Sequence, residues 1–219
     1  QFNIQSNVFG VRRNFNLDKN YFSFFNLSNA VFTPSINLLR VLLDREEILR
    51  SGRIALDYSG RLDNGSSMLF SYYRDGKTFK SGMQKTGRVN GMSFGQTFTS
   101  PKSKAQYGYR VILDNYRANA GYEFYENYGL EFRYSRTLKY QWKFSSTYSY
   151  QDKSHDEDYP LFGARHDQAQ VFKLNFSKPF AKCWTTDLGW ELTGTNSSIN
   201  IYKRSSSNLS VKMSYQCLK

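Results

Sequence analysis

The stretch KYQWKFSSTYSYQ, residues 139–151, alternates between two kinds of side chain along its length. One parity is mostly aromatic, and the other consists of Lys, Gln, Ser and Thr. Because successive side chains of a β-strand point to opposite faces, this alternation predicts one strand with an apolar and a polar face. We expect the apolar face to carry Tyr140, Trp142, Phe144 and Tyr148, and the polar face to carry Lys139, Gln141 and Lys143.

The same alternation recurs along most of the chain. It is clearest near residues 53–61, 67–72, 106–114, 128–135, 184–192 and 209–216. Between these segments, short turns are predicted near residues 33–36, 62–66, 99–104, 137–139 and 178–182. Longer polar loops are predicted near residues 75–88, 115–127, 151–167 and 195–206. Regular strands with turns between them predict an all-β fold.

The composition indicates a second apolar surface besides a core. The 219 residues carry a formal net charge of +12, yet include 17 Tyr and 18 Phe. The mean hydropathy is only −0.64. Strands that cross an outer membrane need apolar residues only at alternate positions, so their average hydropathy stays low. The longest uncharged run, residues 21–39, contains Pro34 and many Ser and Asn residues, which excludes a membrane helix.

These patterns together predict a transmembrane antiparallel up-and-down β-barrel of about 12 strands, within a range of about 10 to 14. An even number of strands places both termini in the periplasm of a bacterial outer membrane. Residues 1–219 form one domain, either complete or the C-terminal part of a longer protein. Ser35–Gly52 suits either a strand or an amphipathic helix capped by Ser35, and both readings stay open.

The polar parity supplies the candidate site, a set of charged residues expected to line the lumen. These residues are Arg53, Asp57, Arg61, Arg110, Asp114, Glu131, Arg133, Lys139, Lys143, Lys173, Asp187, Glu191 and Lys212. Basic residues outnumber acidic ones, and rings of Arg or Lys favour anions in a pore. The alternative is that paired charges fill a narrow barrel, and the sequence favours this reading slightly.

Other polar clusters are weaker candidates. His155, His166 and the acidic residues 156–158 suit either a cation site or, more simply, a solvated loop. The basic stretch 75–88 suits an acidic partner or the phosphates of lipopolysaccharide. No Ser, His and acid are spaced as a catalytic set, and no basic nucleic-acid motif is present. We therefore expect no enzyme activity, no catalytic residue, no metal, no cofactor and no nucleic-acid partner.

The two cysteines, Cys183 and Cys217, fall at the same end of the last predicted hairpin. Their parities differ, so their side chains are expected on opposite faces, too far apart for a disulfide. We expect two free thiols.

From Arg165 onward the chain resembles a known family. The shared features are the pair Arg165 and Asp167 at a strand entry, the turn with Ser177 and Pro179, and the strand led by Trp184. They continue with a loop spanning Ser197, Ile201, Tyr202 and Arg204, followed by an alternating last strand. This order of features resembles the C-terminal end of tetratricopeptide-associated outer-membrane barrels, which include the surface lipoprotein assembly modifiers. Cys217 stands where that family's closing strand has an aromatic residue.

The resemblance implies an outer-membrane channel or translocator for surface-directed cargo, meaning protein, lipoprotein or polysaccharide. The partners expected are outer-membrane lipid and lipopolysaccharide, an exported cargo, and a periplasmic partner domain. Two alternatives stay open. One is a structural or adhesive barrel with a plugged lumen and functional extracellular loops, and the other is a small-solute porin that prefers anions.

Overall fold

The computed structural model describes residues 4–17, 27–44, 46–80, 83–181 and 184–215. Within these ranges the chain forms one antiparallel sheet in which strands consecutive in sequence are hydrogen-bonded neighbours, except that the first two strands both pair with the third. The strands are β1 (Ile4–Arg12), β2 (Phe15–Asn16), β3 (Ser28–Leu43), β4 (Glu46–Arg61), β5 (Ser67–Phe79), β6 (Gly87–Thr99), β7 (Gln106–Ala118), β8 (Tyr125–Thr137), β9 (Lys143–His155), β10 (His166–Ala181), β11 (Trp184–Ser197) and β12 (Arg204–Tyr215). The predicted class, an all-β up-and-down sheet of about twelve strands, is confirmed.

The helical segments in the described ranges are short 3₁₀ turns between strands. None of them has the length and apolar character that crossing a membrane would require. Cys183 and Cys217 lie outside the described residues, so the prediction of two free thiols stays a prediction.

Ser35–Gly52 is a hairpin rather than a helix. Strand β3 runs to Leu43, the chain turns at Asp44 with a positive φ of 49°, and β4 begins at Glu46. The apolar residues in this segment pair across the two strands, as in Ile36 opposite Ile54. The ambiguity in the sequence is therefore resolved in favour of strand.

Strands β1 and β2 are one strand with a short break. Both pair with β3 in a single register, from Ile4 opposite Leu43 to Asn16 opposite Val31. The break faces Pro34, which has no N–H to donate to the ladder. The twelve strands therefore make eleven passes, because β1 and β2 count as one. The turn predicted at residues 33–36 was wrong, since these residues lie inside β3.

This strand count changes where the chain ends lie. Ile4 pairs with Leu43, next to the connection between β3 and β4, whereas Tyr215 pairs with Trp184 at the opposite edge of the sheet. An odd number of passes places the two ends of the described chain at opposite edges. The expectation that both termini share the periplasmic side is therefore wrong for the described residues.

Two edges of the sheet can be told apart by their connections. The loop edge carries residues 80–86, 119–124, 156–165 and 198–203, and the turn edge carries residues 62–66, 100–105 and 138–142. The predicted contrast between long loops and short turns is weaker than expected. Strands extend into the predicted loops, as where β5 continues to Phe79 and β10 begins at His166.

The sheet is curved around its polar face. Lys153 on β9 interacts electrostatically with Lys77 on β5, although three strands lie between them. A flat sheet would separate these strands by roughly 19 Å, at about 4.8 Å a strand. We call this concave side the inner face and the opposite side the outer face. No pairing joins β1 to β12 in the part of the chain that the structure describes.

The chain exposes more surface than a compact domain of its size. Its accessible area is 15501 Å², whereas a folded monomer of 25.6 kDa is expected to expose about 10,400 Å². Among the described residues, buried apolar side chains form two small clusters. One lies on the inner face near the loop edge, around Tyr73 and Tyr116, and the other on the outer face near the turn edge, around Leu27 and Met68. In the part of the chain that the structure describes, no second layer packs against either face of the sheet.

Candidate functional site: the inner face and its rim

The strand registers place the predicted lumen-lining residues, all except Lys139, on the inner face. Directly paired residues of an antiparallel sheet point to the same side. The pairs include Arg53 with Asp75, Arg110 with Glu131, Lys173 with Glu191 and Asp187 with Lys212. By the same registers, Asp57, Arg61, Asp114, Arg133 and Lys143 also lie on this face.

Lys139 was placed wrongly. It lies in a 3₁₀ turn, Lys139–Gln141, and β9 begins only at Lys143. The amide N of Leu138 donates to the carbonyl O of Trp142 at 2.6 Å, which closes this turn. Tyr140 is 84% exposed, at a positive φ of 57°. The aromatic alternation thus continues through a turn, and Tyr140 is not a strand residue. Phe144 and Tyr148 do lie on the outer face, opposite Phe176 and Phe172.

The centre of the inner face is a hydrogen-bonded set around Asp114. The Tyr73 hydroxyl and the Asn127 side-chain amide both donate to Asp114 Oδ2 at 3.0 Å. The guanidinium of Arg53 lies 4.1 Å from the centre of the Tyr73 ring. Tyr73 is on β5 and Asp114 on β7, so the tyrosine reaches across β6, where Gly91 separates the two residues. The Asp114 carboxylate thus accepts two hydrogen bonds from neutral groups, and Arg53 makes a cation–π contact with one of them.

Further charges on the inner face form ion pairs. The Nζ atom of Lys173 lies 2.7 Å from Glu191 Oε2, and Arg133 Nη2 lies 2.6 Å from Glu131 Oε1. Nearer the turn edge, Arg61, Lys143 and Lys212 form no ion pair with any described residue. The turn-edge half of the inner face is therefore open and basic, and the loop-edge half holds most of the paired charges.

At the loop edge a buried polar cluster joins the loops. Arg165 donates from Nε and Nη2 to Asp167 Oδ2 at 2.9 and 2.7 Å, and Ser197 donates to Asp167 Oδ1 at 2.6 Å. His155 Nε2 lies 3.6 Å from Asp167 Oδ2, and its side chain is only 3% exposed. The guanidinium of Arg165 lies 3.5 Å from the centre of the Tyr202 ring. We call Arg165, Asp167, His155, Ser197 and Tyr202 the rim cluster.

The rim cluster also contacts the loop at residues 119–124. Arg165 Nη1 also lies 4.0 Å from Glu123 Oε2, and His155 Nδ1 lies 3.2 Å from the carbonyl O of Tyr122. These contacts connect the loops at residues 119–124, 156–165 and 198–203. Burial raises the pKa of Tyr202 to about 12, with a further contribution from its hydrogen bond with Tyr159. The loops thus form a packed rim.

The histidine-rich loop does not converge on one point. His155 lies within the rim cluster, whereas His166 Nε2 contacts Asp152 Oδ1 at 2.5 Å on the outer face. Asp156 pairs with Arg117 at 2.6 Å. Among the described residues, no group of three or more His, Cys, Asp or Glu side chains is arranged to hold a metal ion.

The basic stretch 75–88 is divided between the two faces. Lys77 lies on the inner face, with its Nζ atom 5.8 Å from the centre of the Tyr116 ring. Lys80 and Lys85 are exposed in the connection to β6, and Arg88 points to the outer face beside Arg117. These residues do not form a single basic loop.

No family model matches this chain, and no match was found among curated proteins.

Proposed function

We propose that this chain is an integral β-barrel of a bacterial outer membrane that acts as a channel or translocator for surface-directed cargo. The observation that carries the proposal is the outer face, which exposes large apolar side chains on strand after strand. They include Leu38, Ile54, Tyr72, Met92, Leu113, Leu130, Phe132, Phe176, Leu188 and Val211. A soluble monomer rarely exposes a contiguous apolar patch beyond a few hundred Å², so this face suits lipid.

The polar inner face supports a passage rather than a solid core. It is concave and holds charged side chains. Its turn-edge half carries Arg61, Lys143 and Lys212, which form no ion pair with another described residue. Basic residues along a pore attract anions. The rim cluster connects the loops at the other end. A passage of this form is basic at the turn edge and is bordered by packed loops at the loop edge.

The orientation follows from the connections. Outer-membrane barrels carry short turns on the periplasmic side and longer loops outside. The loop edge with the rim cluster therefore faces the cell exterior, and the turn edge faces the periplasm. The likeness of residues 165–215 to tetratricopeptide-associated barrels supports a cargo delivered from the periplasm by a partner domain.

Two measurements test this proposal in sequence. Heat-modifiable migration on a gel after refolding into lipid vesicles tests the membrane barrel, and an unchanged migration would exclude it. Reversal potentials in planar bilayers under a salt gradient then test the passage, and we expect anion selectivity. We also expect Lys143→Gln with Lys212→Gln to reduce that selectivity, because both positions lie on the inner face. Lys178→Gln on the outer face is the matched control.

The rim cluster supports one second candidate, a structural or adhesive barrel whose loops close the lumen. A folded, membrane-inserted protein without conductance would favour it. Asp167→Asn distinguishes a closed rim from a filled lumen, since loosening the rim should open a conductance only in the first case.

A further inference from the structure

A belt of arginines crosses the outer face close to the loop edge. Strands β3 to β7 each contribute one: Arg40, Arg50, Arg74, Arg88 and Arg117. The registers place Arg40 opposite Arg50, and Arg88 opposite Arg117. Arg74 lies opposite Asn90, which is two residues beyond Arg88 on β6. We call these residues the arginine belt.

Part of the arginine belt lacks a counter-charge. Arg40 and Arg50 share the carboxylate of Glu47, and Arg117 pairs with Asp156. Arg74 and Arg88 form no ion pair with any residue that the structure describes. Like charges directly opposite each other on a sheet are destabilising. Asp156 supplies one negative charge for the pair Arg88 and Arg117, so the pair favours an additional anion from outside the chain.

A groove lies next to this part of the arginine belt, on the side towards the turn edge. It has a volume of about 290 Å³, and its outer-face walls are formed by Tyr72, Asn90, Met92, Leu113, Asn115, Glu126 and Tyr128. The amides of Asn90 and Asn115 lie nearer the belt, and the apolar Met92 and Leu113 lie further along the strands towards the turn edge. Glu126 is the acidic residue of these outer-face walls, and its carboxylate accepts a hydrogen bond from Tyr128 at 3.4 Å. Asp114, which belongs to the inner face, also lines the groove.

We propose that the arginine belt and this groove bind lipopolysaccharide, with the lipid A phosphates on Arg74, Arg88 and Arg117 and an acyl chain in the groove. The proposal rests on the membrane placement above. Guanidinium groups bind phosphate through paired, charge-assisted hydrogen bonds. From the loop edge towards the turn edge, the site presents guanidinium groups, then side-chain amides, then apolar side chains. This order matches a lipid with an anionic headgroup.

The width of the belt favours lipopolysaccharide over a phospholipid. The three arginines assigned to phosphate lie on three adjacent strands, β5 to β7, which span roughly 10 Å at about 4.8 Å a strand, whereas a phospholipid presents a single phosphate. Lipid A carries two phosphates and several acyl chains. The belt also lies at the edge that we assign to the exterior, where the leaflet is lipopolysaccharide. The outer face of β8 to β10 at the same edge carries Glu126, Asp152 and His166 instead, so the basic surface is confined to one side.

Binding of lipopolysaccharide to the refolded chain in detergent micelles tests this site. The probe is fluorescently labelled lipopolysaccharide, and its anisotropy gives the dissociation constant. We expect Arg88→Gln and Arg74→Gln each to weaken binding about tenfold, since each removes a charge-assisted contact to phosphate. Arg136→Gln, which removes an outer-face arginine at the turn edge, should leave binding unchanged. Heat-modifiable migration confirms that each variant is folded.

Several results would overturn the assignment. Wild-type affinity in Arg88→Gln and Arg74→Gln, or an equal loss in Arg136→Gln, would show that the belt is not the site. Dephosphorylated lipid A binding as tightly as lipid A would remove the role of the phosphates. Phosphatidylglycerol competing as well as lipopolysaccharide would identify a general anionic-lipid surface. A chain that binds no lipopolysaccharide yet still inserts into vesicles would refute this site alone, whereas failure to insert would refute the proposed function.

Discussion

Replacing Gly91 by alanine should break the hydrogen bond that crosses strand β6. Gly91 lies between Tyr73 and Asp114 in the sheet, and both belong to the inner face. An added Cβ would lie 2.5 Å from Tyr73 Oη and 2.8 Å from Asp114 Cβ. The Tyr73 ring is 9% exposed and packs in the inner cluster, so it can avoid the methyl group only by leaving its place.

Displacing the Tyr73 ring breaks two interactions, and their free energies set the size of the effect. The hydrogen bond to the Asp114 carboxylate contributes about 1.5–3 kcal/mol, and the stacking of Arg53 on the Tyr73 ring about 0.5–2 kcal/mol. Alanine is better than glycine in a strand by roughly 0.5–1 kcal/mol, which offsets part of the destabilisation. We therefore expect Gly91→Ala to lower the free energy of unfolding by about 1–4 kcal/mol.

Urea unfolding in lipid vesicles, followed by tryptophan fluorescence, measures this change. Gly194→Ala is the matched control, because no heavy atom lies within 4 Å of its added Cβ. In a Tyr73→Ser background the ring is absent, so Gly91→Ala should cost much less there. Equal stabilities of Gly91→Ala and Gly194→Ala, or an undiminished effect of Gly91→Ala in the Tyr73→Ser background, would refute this role of Gly91.

Three further outcomes are expected. Phe132→Arg, at an outer-face residue that is 52% exposed, should destabilise the protein in a bilayer by about 2–4 kcal/mol. Its control, Ser149→Arg, lies beside Glu131 on the inner face and should be tolerated. Equal effects of the two changes in the same urea titration would contradict the assignment of faces. Asp167→Asn should lower the free energy of unfolding by about 3–5 kcal/mol and expose residues 156–165 to limited proteolysis, because Arg165 loses its buried partner. Asp158→Asn, on the exposed loop, should change neither the stability nor the proteolysis. Absorbance near 295 nm should show Tyr202 ionising near pH 12 rather than near its usual value of about 10, with Tyr202→Phe supplying the difference spectrum. Because that pKa is raised by folding, its contribution to stability is fully present below pH 10 and is lost as the pH rises towards 12.

The faces of the sheet could be predicted because they depend on a local pattern. Alternation with a period of two assigns each strand residue to a side without knowledge of its neighbours. This is why residues as far apart as Arg53 and Lys212 were correctly grouped on one face. The same rule failed at Lys139, because Tyr140 and Gln141 adopt positive φ angles. A turn that happens to continue the aromatic alternation cannot be told from a strand by period alone.

The rim cluster could not be predicted in the same way. Its members come from β9, β10, β11, the loop before β10 and the loop between β11 and β12, and their spacing in the sequence carries no regularity. Arg165 and Asp167 were noticed only as features of a resemblance, and His155 only as a candidate for a cation site. What brings them together is the curvature of the sheet and the packing of three loops. The sequence holds the residue types but not this geometry.

Pro34 explains why the twelve strands cross the sheet only eleven times. A proline in a polar stretch normally indicates a turn, since it cannot donate to a ladder. Here it lies within β3, and the missing N–H faces the break between β1 and β2. Twelve strands therefore make an odd number of passes, and the edge strands β1 and β12 run in the same direction. A barrel that closes on these two strands must contain one parallel seam, whereas every pairing in the described sheet is antiparallel. Since Ile4 and Tyr215 lie at opposite edges, a chain that spans the outer membrane in this way has these two residues on opposite sides of it.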